Sequence, residues 1–133
     1  MKKWEYYYLT LEEVIFIHDS LVRIYWGFWG ISDNIVSVEG VLWNIENNEW
    51  YSTLLEKATH LCFSIIAFHG FLDGNKRTAL AVTNIFLIVN ECEIPEFIVK
   101  MEDVAVGIAK GSISKEELCK FLKTMMLSAG FQE

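Results

Sequence analysis

Between His69 and Leu80 the chain reads HGFLDGNKRTAL, which puts a histidine, an acid four residues later, a Gly-Asn pair and two adjacent cations into one short stretch. A Gly-Asn turn that opens a helix presents backbone N–H groups without intrahelical partners, together with the positive end of the helix dipole. Gly74 and Asn75 therefore suit an anion. Lys76 and Arg77 add two formal charges in the first turn, where cations are unfavourable unless something negative offsets them. A polyphosphate with Mg²⁺ meets that need: Asp73 offers a hard oxygen ligand, and Asn75, Lys76 and Arg77 reach phosphate oxygens. His69 is placed to take a proton from an attacking hydroxyl, since histidine exchanges protons near neutral pH. In-line phosphoryl transfer requires this set: a base, a metal ligand and positive groups that spread charge.

Each part has a plain structural explanation when taken alone. A histidine between apolar helices is usually a satisfied core or capping group, and His18 and His60, among apolar helical neighbours, are assigned no functional role. Asp-Gly-Asn alone is an ordinary turn, and Lys-Arg alone a solvated pair. The conjunction is what points to chemistry. Other nucleotide signatures are missing, with neither GxxxxGK[ST] nor GxGxxG in the chain. His60, Cys62 and His69 lack the spacing of a zinc site.

The elements that must position these residues read as helices. Thr10 with Glu13 has the capping-box form, and Val14, Ile17, Leu21 and Tyr25 follow at helical spacing, which predicts a first helix over about Leu11 to Tyr25. The segment from Trp26 to Ser52 has glycines at 27, 30 and 40 and no sustained period, so it reads as loop with one short helix or hairpin. Leu55, Ala58, Leu61, Cys62, Ile65 and Phe68 predict a helix from about Leu54 that ends near His69. The run NKRTALAVTNIFLIVNE is apolar nearly all round and predicts a central core helix after Gly74. Beyond Pro95, helices are expected over Glu102 to Lys110, closed by Gly111, and after Ser114, which pairs with Glu117 in a second capping box. The fold class is all-α, with the motif loop between two core helices.

With 133 residues, 53% hydrophobic content and no linker-like or repetitive tract, residues 1–133 are expected to form a single domain. A net charge of −7 with only 11 Lys and Arg argues against a broad nucleic-acid footprint, so any anion site must be local. Cys62, Cys92 and Cys119 are odd in number and set in apolar sequence, which suits buried thiols in a reducing compartment. The start, MKKWEYYYLT, lacks the apolar core of a signal peptide, and no run approaches the roughly 20 apolar residues of a membrane span. A cytoplasmic location is expected.

HGFLDGNKRTAL resembles the HxFx[D/N]GNKR motif of the Fic/Doc family, and most closely that of its Doc, or death-on-curing, branch. The resemblance extends to YLTLEEVIFIHDSL near the start and VAVGIAKGSISKEELCKFL near the end. It implies a Fic-type helical fold in which His69 is the catalytic base, Asp73 binds Mg²⁺ and Gly74, Asn75, Lys76 and Arg77 hold the phosphates of ATP, with Phe71 anchoring the loop. AMP-transferring members read HPFxxGNGRxxR, whereas here Gly70 replaces the proline, Lys76 the second motif glycine and Leu80 the last arginine. This combination resembles the Doc branch, and it implies transfer of the γ-phosphate to a protein hydroxyl, with a translation factor such as elongation factor Tu as target. The alternatives are AMP transfer and a silent binding module. SDNIVSVEGVLWNIE stands where the family's flap is expected and departs from the usual Doc-like sequence there. The self-inhibitory pattern [S/T]xxxE[G/N] does not occur, since Ile35 precedes Glu39-Gly40 and Leu42 precedes Glu46-Asn47. A toxin restrained by a small antitoxin protein is therefore expected.

Overall fold

The computed structural model describes residues 5–25, 27 and 30–133. Among them are six helices: α1 (Leu11–Tyr25), α2 (Ile35–Asn44), α3 (Leu54–Phe68), α4 (Asn75–Val89), α5 (Phe97–Lys110) and α6 (Lys115–Ser128). No strand occurs among the described residues, where a single antiparallel bridge joins Ile31 and Phe71. The fold class is all-α.

Local sequence sets most helix ends. Thr10 Oγ1 accepts the Glu13 N–H at 3.2 Å while Glu13 Oε1 accepts the Thr10 N–H at 2.8 Å, which closes the capping box of α1. Ser114 and Glu117 do the same for α6. Thr53 caps α3 through the Glu56 N–H, and the Glu133 carboxylate accepts the next two free amides, from Leu54 at 2.6 Å and Leu55 at 3.2 Å. Gly111 closes α5 in the left-handed conformation. Helix α4 begins without such a cap, as α2 and α5 do: its N-cap is Gly74 at φ 77°, no side chain caps it, and its first turn carries no acid, but it alone of the three opens with two adjacent cations, Lys76 and Arg77.

The core forms where α3 lies along α4, with α1 and α5 against α4 and with α2, α5 and α6 against α3. Leu54, Ala58, Leu61, Cys62 and Ile65 of α3 and Ala79, Val82, Phe86 and Leu87 of α4 are almost fully buried. These two helices meet at the loop 69–74, so well-packed core helices flank the motif. Lys57 is also fully buried, and its ammonium donates to Ile45 O and Asn48 Oδ1, which ties the α2–α3 connection to the core.

Two boundaries differ from the sequence expectation. The segment read as mainly loop contains α2, a helix of 10 residues whose N-cap Asn34 makes no side-chain bond and whose interior carries Gly40. Burial of Val38, Val41 and Leu42, rather than local propensity, holds it together. Residues 26, 28 and 29 of that segment, and residues 1–4 of the N-terminal reading, lie outside the described residues. Helix α5 starts at Phe97 rather than Glu102, because Phe97 and Met101 bury the turn before the charged residues. No helix among the described residues is long and apolar enough to cross a membrane.

Candidate functional site

His69 is the C-cap of α3, in the left-handed region at φ 50°, ψ 53°. It is exposed, and its carbonyl accepts the Ser32 hydroxyl at 2.6 Å. The chain then doubles back beside residues 30–32: the Ser32 N–H donates to Gly70 O at 2.9 Å and the Leu72 N–H to Gly30 O at 3.3 Å. Gly70 permits this approach, since a Cβ there would stand 2.5 Å from Val38 Cγ2 on α2.

Phe71 turns inward and is 2% exposed. The ring of His18 lies against it, centroids 3.8 Å apart and planes 9° from parallel. Asn75 closes the loop from the other side, its Oδ1 accepting the Phe71 N–H at 3.1 Å and its Nδ2 donating to Phe71 O at 3.0 Å. His18, fully buried on α1, places Nε2 at 2.7 Å from Asp73 O, and its Nδ1 lies 3.1 Å from Asp19 Oδ1. Asp73 in turn accepts the Gly74 N–H through Oδ1 at 2.8 Å. Gly27 lies so close that a Cβ would come within 2.9 Å of Asp73 Oδ2.

From there α4 opens uncapped. Lys76 and Arg77 project from its first turn, and the Arg77 guanidinium lies 4.2 Å from the centre of the Tyr25 ring. A cleft of about 510 Å³ between α1, α4 and α5 has Asp73, Gly74, Lys76, Arg77 and Glu102 at its polar parts and Leu21, Leu80, Ile98 and Val106 at its apolar parts. The structure thus brings Asp73, Gly74, Lys76 and Arg77 onto one cleft. His69 and Asn75 stand outside its lining, His69 facing solvent and Asn75 holding Phe71.

Sequence reasoning missed four residues here. His18 was set aside as a core histidine. It is one, but its polar edge holds the backbone of Asp73, and the signal was available: His18 falls on the same face as Val14 and Val22, where a buried ring nitrogen demands a partner. Tyr25, Gly27 and Ser32 carried no local signal.

The arrangement can hold an anion at the α4 N-terminus and a hard cation at Asp73, with an imidazole exposed one loop away. A sequence profile of the Fic/DOC family matches residues 8–87, and the chain belongs to that family. A relative, the protein kinase Doc of Escherichia phage P1, is 30% identical over 129 residues, covering 92% of this chain and 98% of its own.

Proposed function

We propose that this protein is a Doc-like toxin that transfers the γ-phosphate of ATP to a hydroxyl of another protein, a translation factor being the expected target. The observation that carries the reading is the uncapped start of α4, with no acid in its first turn and with Asp73, Lys76 and Arg77 on one cleft. Such an end sets uncapped backbone donors beside two cations, a combination that suits a polyphosphate. The similarity to a protein named a kinase supports the choice of phosphoryl over nucleotidyl transfer.

The residues fit a magnesium ion, because Mg²⁺ keeps several waters and takes one or two protein carboxylates, and Asp73 offers one at the cleft mouth. When bound, Mg²⁺ would neutralise charge on the phosphates. The chain's own residues do the rest. The amides of the first turn of α4 orient the phosphates, and Lys76 and Arg77 stabilise the charge spread over the transferring group. Tyr25 holds the Arg77 guanidinium over the cleft. His18 and Asn75 fix the loop so that Asp73 keeps its place. His69 Nδ1 or Nε2 accepts the proton of the target hydroxyl as the new P–O bond forms.

On this reading residues 1–133 act as one cytoplasmic domain, held in check by a small antitoxin protein. The test is transfer of label from ATP to a translation factor in the presence of Mg²⁺. Label is expected from the γ position, with a His69→Ala loss of at least ~10²-fold, the usual scale of a general base. Label arriving only from the α position would establish AMP transfer instead, and no transfer from either would favour a silent binding module.

A further inference from the structure

A second cluster of reactive groups lies well away from the motif loop, on the seam between α3 and α6. Lys115, the first residue of α6, turns its ammonium toward His60 of α3, with Nζ 2.8 Å from Nδ1. The Tyr51 ring covers the imidazole, centroids 4.4 Å apart and planes 18° from parallel, and lies 5.5 Å from Nζ. A groove of about 300 Å³ opens here, lined by Tyr51, Glu56, Thr59, Lys115, Glu116 and Cys119. Two carboxylates thus border the groove, yet among the described residues none lies within ion-pair distance of Lys115.

A lysine normally stays in water or pairs with an acid. This one is half-buried against a neutral acceptor, the setting in which amines lose protons and become nucleophiles. Burial lowers the proton affinity of Lys115. Burial and the neighbouring ammonium push that of His60 down to about 4, so at neutral pH the imidazole accepts a hydrogen bond rather than competing as a second cation. The carboxylates of Glu56 and Glu116 disfavour anionic electrophiles, and the size of the groove limits its occupant to a small molecule.

We propose that Lys115 is a covalent attachment site for small uncharged aldehydes, which it binds as a Schiff base beside His60 in the α3–α6 groove. The Lys115 ammonium first gives one proton to solvent, and the Nζ lone pair so freed attacks the carbonyl carbon, forming the N–C bond. The first amine proton passes through His60 Nδ1 to the carbonyl oxygen, giving a carbinolamine. The second nitrogen proton follows the same route to the hydroxyl, the C–O bond breaks, water leaves and C=N forms. The aldehyde's apolar portion lies against Tyr51.

The test uses the intact protein with propanal and sodium cyanoborohydride at neutral pH, and peptide mass spectrometry reads the initial rate of alkylation at each lysine. Lys120 and Lys123 are exposed on the same helix and act as internal references. Lys115 should react several-fold faster than either, because its lowered proton affinity leaves more free amine at neutral pH. A rate at Lys115 equal to or below theirs overturns the proposal. In a His60→Leu variant shown to be folded by circular dichroism, the excess at Lys115 should fall several-fold, and an undiminished excess overturns the part assigned to His60. If that variant does not fold, the comparison within the unaltered protein still decides.

Discussion

Lys76 and Arg77 project from the same helical turn, but their surroundings differ. Arg77 is stacked on Tyr25, whereas Lys76 is exposed at the cleft. Replacing either by alanine should weaken nucleotide binding by about 1.5–3 kcal/mol, the scale of a charge-assisted hydrogen bond. Tyr25→Ala should cost about 0.5–1 kcal/mol through loss of the cation–π contact. Calorimetric titration with ATP checks all three. Unfolding of either cation variant with unchanged nucleotide affinity would reduce that residue to a structural role. His69, Asp73, Lys76 and Arg77 stand out as candidates because they are neighbours in sequence. The spacing of His18 marks it as buried, but its partner Asp73 lies 55 residues away and only the folded chain joins them.

For the elements, legibility followed the strength of local signals. Helices α1, α3, α4 and α6 could be read from apolar spacing, capping boxes and the Gly-Asn turn, and their observed bounds agree closely with those expected. Helix α2 has no capping bond and a glycine inside, so it is visible only once Val38 packs beside the motif loop. That dependence predicts the effect of Gly70→Ala, whose methyl group would press on the stiff Val38 side chain from 2.5 Å. Overpacking of this kind costs about 1–3 kcal/mol. Because the displaced elements carry the loop, the variant should lose transfer rate as well as stability. Gly107→Ala offers the contrast: its methyl group would meet Ile113 at 2.4 Å, and neither residue lines the cleft, so it should lower stability and leave nucleotide affinity largely unchanged. Urea unfolding, ATP titration and the rate of γ-phosphate transfer on the two variants separate these outcomes.

Stability of the whole molecule should depend on acidity through His60. Its folded-state pKa of about 4 lies below the usual histidine value of 6.5, so between these limits the unfolded chain binds more protons than the folded one. Stability therefore rises with pH across this window: it is fully present above about 6.5 and is lost as pH falls toward 4. The difference corresponds to at most about 3 kcal/mol, and solvent screening of this half-buried group makes the expected effect smaller. Carboxylates titrate in the same range, so the comparison is with His60→Gln, which cannot take up the proton. Urea denaturation at a series of pH values should show the wild type losing more stability than the variant on acidification. Parallel curves would mean that His60 keeps its proton exchange on unfolding.

The left-handed backbone of His69 has a consequence for adaptation. Helices usually end on glycine in this conformation, because a side chain there costs on the order of 1 kcal/mol. If His69 is the base proposed above, keeping an imidazole at this position trades durability for chemistry, and the chain could be more stable without it. On the proposed mechanism His69→Ala and His69→Gly should both be inactive, but the glycine variant should be the more stable by about 0.5–1 kcal/mol. Thermal unfolding of the pair measures that difference directly, and equal melting temperatures would show that the surrounding contacts have removed the conformational penalty.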